Sequence, residues 1–141
     1  LFDSETKEAL CVIDLDTVMP GSALYDFGDA LRFAGSSGSE DEKDLDSIWF
    51  DLNKFESFAK GFLEETKTCL TKKEIELLPM SVLLMTYECG SRFLADHLNG
   101  DTYFKIHREN HNLDRARTQF KLVKDIESKF DIMHNMISKL L

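Results

Sequence analysis

Beyond residue 50, apolar residues recur every three or four positions, which is the spacing of one face of an α-helix. Asp51 stands directly before the first stripe and is a suitable N-terminal cap. The stripe itself consists of Leu52, Phe55, Phe58, Ala59, Phe62 and Leu63. Because it covers one face only, it predicts an amphipathic helix packed against a core.

A second helix is predicted to open at Thr71, which forms a capping-box pattern with Glu74. Apolar residues on nearly every face follow, so this helix is expected in the middle of a bundle. Pro79 lies within it and predicts a kink or a restart. Gly100 is a suitable stop.

The remaining helices are predicted at the two ends of this region. From Asp114 onward the apolar spacing predicts one long amphipathic helix, or two that join near Phe130. Residues 24–34 also fit a helix, which Gly35 would end. The acidic residues 40–44 follow a Gly/Ser-rich stretch and predict a solvated surface loop.

The start of the chain has a different pattern. Residues 1–3 are a short apolar start, residues 9–15 are rich in Val, Ile, Leu and Cys, and polar residues 4–7 separate the two, so a short β-hairpin is predicted. The fold class is therefore mainly α, with a hairpin and turn over residues 1–23 and a helical bundle over residues 24–141.

The composition narrows the possible partners. A net charge of -9 and a pI near 4.9 argue against nucleic acid, which needs clustered Lys and Arg, and against an anionic membrane surface. No apolar stretch approaches the roughly 20 residues of a membrane helix, and the first residues lack a signal-peptide pattern. The chain is therefore expected to be cytoplasmic. Cys11, Cys69 and Cys89 have apolar neighbours, which predicts reduced core thiols.

Two carboxylates are the first candidates for chemistry. Asp14 and Asp16 stand two positions apart at the end of an apolar run. In a strand such residues point to the same face, so the pair suits a hard cation such as Mg²⁺, which prefers oxygen ligands. The alternative is that the two acids only cap a turn, and the spacing leaves both open.

A cation and a histidine pair are the other candidates. Arg92 lies on the otherwise apolar central helix, where a guanidinium is costly unless it is paired or faces a cleft. It is therefore either a buried ion-pair partner or a ligand contact. His107 and His111, four positions apart, are only a weak zinc pattern because no Glu-rich helix or Cys pair accompanies them.

A resemblance runs across nearly the whole chain. It is carried by residues 13–21 (IDLDTVMPG), 25–29 (YDFGD), 90–96 (GSRFLAD), 100–104 (GDTYF) and 111–119 (HNLDRARTQ). In these segments the chain resembles the aminoglycoside phosphotransferase and choline kinase-like family. Residues 13–21 are similar to the N-acetylhexosamine 1-kinase branch, some members of which are labelled mucin-desulfating proteins. The resemblance implies the C-terminal lobe of a protein-kinase-like fold, with a metal-site hairpin and a helical substrate-binding subdomain.

The resemblance also implies roles for individual residues. Asp14 would bind the Mg²⁺ that bridges the phosphates of ATP, and Asp16 would either assist through water or only order the turn. Arg92 and Tyr103 match the sugar-binding Arg and Tyr of the family. Asp26, although followed by Phe and Gly, would not bind metal but would support the catalytic loop.

The implied activity is transfer of phosphate from ATP to the anomeric hydroxyl of an N-acetylhexosamine, with Mg²⁺ as cofactor. The family's catalytic loop, His-x-Asp-x-x-x-x-Asn, does not occur in the chain and is expected upstream of Leu1 with the nucleotide-binding lobe. The chain, which starts without Met, is therefore expected to be a fragment that is inactive alone. Its expected partners are ATP, the sugar and its own N-terminal lobe, and it is expected to self-associate when separated from that lobe. The alternative is a non-catalytic, acidic helical interaction module.

Overall fold

The computed structural model describes residues 1–141 and is mainly helical, as predicted. The α-helices are α1 (Ala23–Ala34), α2 (Leu52–Thr66), α3 (Lys72–Leu98) and α4 (His111–Lys139), and a single 3-10 turn spans Leu45–Ser47. The regular part of the chain thus begins at Ala23, one residue before the predicted start of the helical bundle.

The predicted helix boundaries in the middle of the chain are confirmed. Asp51 caps α2, where its Oδ1 accepts the backbone N–H groups of Asn53 and Lys54. The capping box of α3 is complete, because Thr71 Oγ1 accepts the N–H of Glu74 and the Glu74 carboxylate accepts the N–H of Thr71.

The structure also decides between the alternatives for the two long helices. Pro79 lies inside α3, which continues through it as one helix. The C-terminal region forms the single helix α4, with no joint near Phe130. Gly100, with φ of 90°, follows the end of α3 and uses a left-handed conformation that favours glycine.

The core lies between α3 and its neighbours α1 and α4, and α2 packs across α1 and α4. Phe27 of α1 is fully buried, and its ring centroid lies 6.1 Å from that of Phe55 and 5.1 Å from that of Phe62 on α2. On α4, Leu122 and Ile126 are fully buried in the same cluster. The apolar stripes read from the sequence therefore face one common core.

The predicted N-terminal hairpin is wrong, because residues 1–15 form no strand. One antiparallel bridge joins Phe2 to Ala9, and the backbone N–H of Leu10 donates a 3.0 Å hydrogen bond to the carbonyl oxygen of Leu1. Val12 and Ile13 are 78% and 56% exposed. A two-stranded hairpin is marginally stable unless a third strand or a helix covers its apolar face, and these exposed side chains lack such a cover.

The cysteine prediction is only partly right. All three cysteines are free, but Cys11 and Cys69 are exposed and only Cys89 is partly buried. None of the helices has the length and apolar character needed for a membrane span.

Candidate functional site: the Arg92 cleft

A cavity of about 610 Å³ opens between α1, α3, the start of α4 and residues 104–107. We call it the Arg92 cleft. Its wall carries charges of both signs and apolar surface, including Asp29, Arg32, Glu88, Arg92, Phe104 and Arg115. Its volume lies within the range of about 300–1,000 Å³ that is usual for small-molecule sites.

The structure brings Arg92 and Tyr103 together, as the resemblance implies for a common substrate. The Nη2 atom of Arg92 lies 3.5 Å from the Tyr103 hydroxyl. The guanidinium carbon lies 5.7 Å from the centroid of the Tyr103 ring and 5.4 Å from that of Phe104, within the range of cation–π attraction. Arg92 is half exposed, and its Nε is 3.6 Å from the carboxylate of Glu88, so it is not the buried ion-pair partner that was the alternative.

Asp96 holds the loop that carries Tyr103. The Asp96 side chain is buried, and its carboxylate accepts the backbone N–H groups of Thr102, Tyr103 and Phe104 at 3.0, 2.8 and 3.0 Å. Burial alone would raise the pKa of Asp96, but these N–H groups, that of Phe104 foremost, outweigh it and hold the pKa below its ordinary value. The ionised carboxylate thus fixes Tyr103 beside α3.

Asn112 completes this support from the first turn of α4. It is fully buried, and its Nδ2 donates to the carboxylates of Asp96 and Asp101 at 2.9 and 2.8 Å. Sequence reasoning missed Asp96, although a signal was present: like Arg92, it is a charged residue on a mainly apolar helix, where it needs partners.

The opposite wall of the cleft is an ion-paired cluster. Arg32 lies 2.9 Å from Asp29 and 3.0 Å from Glu40, and the Nε of Arg115 is 3.7 Å from Glu40. Burial lowers the pKa of Arg32, but opposing interactions, led by the hydrogen bond to Asp29, keep it above its ordinary value. Burial raises the pKa of the neighbouring Cys89 to about 11, so this thiol is neutral and is not a nucleophile near pH 7.

The acidic loop at 40–44 is not merely solvated, contrary to the sequence prediction. Asp41 contacts Arg108 at 3.4 Å and His111 at 3.1 Å, and the carbonyl oxygen of Glu42 accepts the Thr118 hydroxyl at 3.0 Å. Burial alone would raise the pKa of Asp41, but its backbone N–H, His111 and Arg108 together lower the pKa by more than burial raises it, so the net shift is downward. The loop is therefore anchored to α4.

The histidines of the weak zinc pattern, His107 and His111, have a structural role. His111 is buried, its Nδ1 accepts the backbone N–H of His107 at 3.1 Å, and its Nε2 faces the Asp41 carboxylate. Both ring nitrogens of His111 are thus engaged by the protein, and this histidine anchors the loop.

The three predicted acidic site residues lie apart from the Arg92 cleft. Asp14, Asp16 and Asp26 are exposed, and none of them lines it. Asp14 has φ of 63°, so the shared strand face predicted for Asp14 and Asp16 is not formed. No group of three potential metal-ligating side chains surrounds them. Two carboxylates nevertheless fit Mg²⁺ chemically, because this ion usually takes one or two carboxylates together with phosphates and water. Asp26 lies in the first turn of α1.

A comparison with known protein families finds no family model that matches this chain.

Proposed function

We propose that the chain is the C-terminal lobe of an ATP-dependent small-molecule kinase that holds its acceptor, an N-acetylhexosamine, in the Arg92 cleft. The observation that supports this most directly is the contact of Arg92, which lines the cleft, with Tyr103, which lines an adjoining cavity that shares Arg92 and Phe104 with the cleft. These are the two residues for which the sequence resemblance implies sugar binding, and they come from separate segments, α3 and the loop after it.

The chemistry of the cleft suits a hydroxylated acceptor. The half-exposed guanidinium of Arg92 has N–H groups that can donate to sugar hydroxyls and to an amide carbonyl. Glu88 and Asp29 can accept hydrogen bonds from other hydroxyls. Phe104 adds an apolar surface on which the carbon-bound hydrogens of a sugar ring can pack.

The remaining parts of the proposal rest on the resemblance. Asp14, with or without Asp16, would hold the Mg²⁺, which neutralises charge on the phosphates when bound. Asp26 would support the catalytic loop, and the lobe would belong to a protein-kinase-like fold. The acceptor proton would go to the Asp of that loop, which the resemblance implies upstream of Leu1.

The experiment is an ATP-dependent phosphorylation screen of the full-length protein over N-acetylglucosamine, N-acetylgalactosamine, choline and an aminoglycoside. We expect formation of a sugar 1-phosphate, its loss in Asp14→Asn, and an increase in the KM for sugar of about tenfold or more in Arg92→Ala, because a charged hydrogen-bond donor is removed. Arg117→Ala is the matched control, because Arg117 is exposed and does not line the cleft.

Two results would contradict the proposal. One is the absence of transfer to any acceptor by a folded protein, which would favour the helical interaction module. The other is an equal change of KM in Arg92→Ala and Arg117→Ala, which would remove the Arg92 cleft as the acceptor site.

A further inference from the structure

A second cavity, of about 400 Å³, adjoins the Arg92 cleft and shares Arg92 and Phe104 with it. We call it the Tyr103 pocket. Its remaining wall consists of Ala95, Asp96, Asn99, Thr102 and Tyr103, from the end of α3 and the loop after it. The pocket and the cleft each lie within the usual size range of about 300–1,000 Å³ for small-molecule sites. A ligand with two linked units can therefore occupy both.

Tyr103 gives the pocket an aromatic face. It is 73% exposed, and its hydroxyl lies 3.5 Å from Nη2 of Arg92, one of the two residues that the cavities share. The backbone on both sides of it is fixed, because the Asp96 carboxylate accepts the N–H groups of Thr102, Tyr103 and Phe104. An aromatic surface that is held in place and open to solvent can bind a ligand with little ordering cost.

The polar groups beside Tyr103 are neutral and free. Thr102 donates its backbone N–H to Asp96, and Asn99 donates its own to the last turn of α3, so the hydroxyl of Thr102 and the amide of Asn99 remain open to a ligand. The charged groups are already engaged, Asp96 by backbone N–H groups of the loop and Arg92 by Glu88. An aromatic face with neutral donors and acceptors suits an uncharged ligand rich in hydroxyls, which is the chemistry of a sugar.

We propose that the Tyr103 pocket is a second sugar subsite and that the preferred acceptor is a disaccharide. This inference rests on the kinase function proposed above. The N-acetylhexosamine at the reducing end lies in the Arg92 cleft. The second sugar, joined to one of its other hydroxyls, packs on Tyr103 and pairs with Asn99 and Thr102. The anomeric hydroxyl stays free, so it takes the γ-phosphoryl group of ATP and gives up its proton as in the monosaccharide, with ADP and a disaccharide 1-phosphate as products.

The test compares N-acetylglucosamine with two disaccharides that carry galactose on O3 or on O4 of a reducing N-acetylglucosamine. The full-length protein is titrated with each sugar by calorimetry and assayed with ATP for the sugar 1-phosphate. We expect at least one disaccharide to bind about tenfold more tightly than the monosaccharide, with a matching fall in KM, because it adds an aromatic contact and two hydrogen bonds.

The variants separate the two subsites. Ala95 is exposed and lines the Tyr103 pocket but not the Arg92 cleft. In Ala95→Phe the new ring fills the pocket, so the disaccharide loses its advantage while the KM for N-acetylglucosamine stays within about twofold of the wild-type value. Asn99→Ala lowers the ratio of disaccharide to monosaccharide affinity about threefold or more. Asn135→Ala, which alters an exposed asparagine on α4 outside both cavities, does not.

Two results would overturn this inference. One is an affinity for both disaccharides no higher than that for N-acetylglucosamine; if the monosaccharide is still phosphorylated, the kinase function stands without the second subsite. The other is a disaccharide preference that survives in both Ala95→Phe and Asn99→Ala, which would place the second sugar outside the Tyr103 pocket. Tighter binding of a disaccharide that is lost in Ala95→Phe, with no transfer to any sugar, would support the subsite and contradict the kinase function instead.

Discussion

Gly28 is a point of close approach between α1 and α3, the two helices that both line the Arg92 cleft. A Cβ atom at this position would lie 2.5 Å from the carbonyl oxygen of Ser81 and 2.7 Å from Cγ of Met85. An ordinary contact begins at 3.4 Å, so Gly28→Ala would push the two helices apart by nearly an ångström. The atom in the way is backbone, which cannot rotate aside.

The size of the effect follows from two opposing contributions. Replacement of a helical glycine by alanine stabilises a helix by about 1 kcal/mol. Overpacking of a buried site costs about 1–3 kcal/mol, and the upper part of that range applies here because the clash is with backbone. We therefore expect a net loss of about 1–2 kcal/mol in the free energy of unfolding.

Urea unfolding followed by circular dichroism measures this change, and Gly61→Ala is the matched control. Gly61 lies in α2, and a Cβ there would meet nothing within 4 Å. This variant is expected to be more stable than the wild type by about 1 kcal/mol. If Gly28→Ala were stabilised as much as Gly61→Ala, the close approach of α1 and α3 would be refuted, and with it the geometry of the Arg92 cleft.

Three further predictions concern the loop, a helix cap and a thiol. Asp96→Asn should speed hydrogen exchange of the backbone amides at 102–104. The folded-state pKa of Asp96 lies below its ordinary value of about 3.9, so the Asp96 carboxylate stabilises the fold above that pH. This contribution is lost as the pH falls through the folded-state pKa. In urea unfolding, Asp96→Asn should therefore lose less stability than the wild type between pH 6 and pH 3. Thr71→Ala should lower the free energy of unfolding by about 1 kcal/mol, whereas Thr71→Ser, which keeps the capping hydroxyl, should not. Since burial raises the pKa of Cys89 to about 11, iodoacetamide at pH 8 should alkylate exposed Cys69 well before Cys89, and mass spectrometry of the digested chain would show the reverse order if this reasoning is wrong.

The candidate site was accessible from the sequence only in part. The resemblance paired Arg92 with Tyr103, and the structure places them in contact. The carboxylate that makes this contact possible, Asp96, was not recognised, because its partners are backbone N–H groups of a loop whose course the sequence does not show.

The contacts of the acidic loop at 40–44 also could not be predicted from the sequence. Its charged residues resemble a solvated linker in the sequence, because their partners are far along the chain. Asp41 pairs with His111, 70 positions away, and Glu42 accepts from Thr118, 76 positions away. Such pairs form only when the packing of the helices brings the two segments together.

The sequence by itself determined the four helices and the starts of α2 and α3, whereas α4 begins at His111, three residues before the predicted Asp114. Asp51 and the Thr71–Glu74 capping box act on N–H groups within three residues, and apolar spacing sets the buried face of each helix, so both signals are local. The tertiary structure alone decided the state of residues 1–15 and the shape of the Arg92 cleft. A strand needs a neighbour to pair with and a cavity needs walls from several helices, and both depend on contacts between residues distant in the sequence.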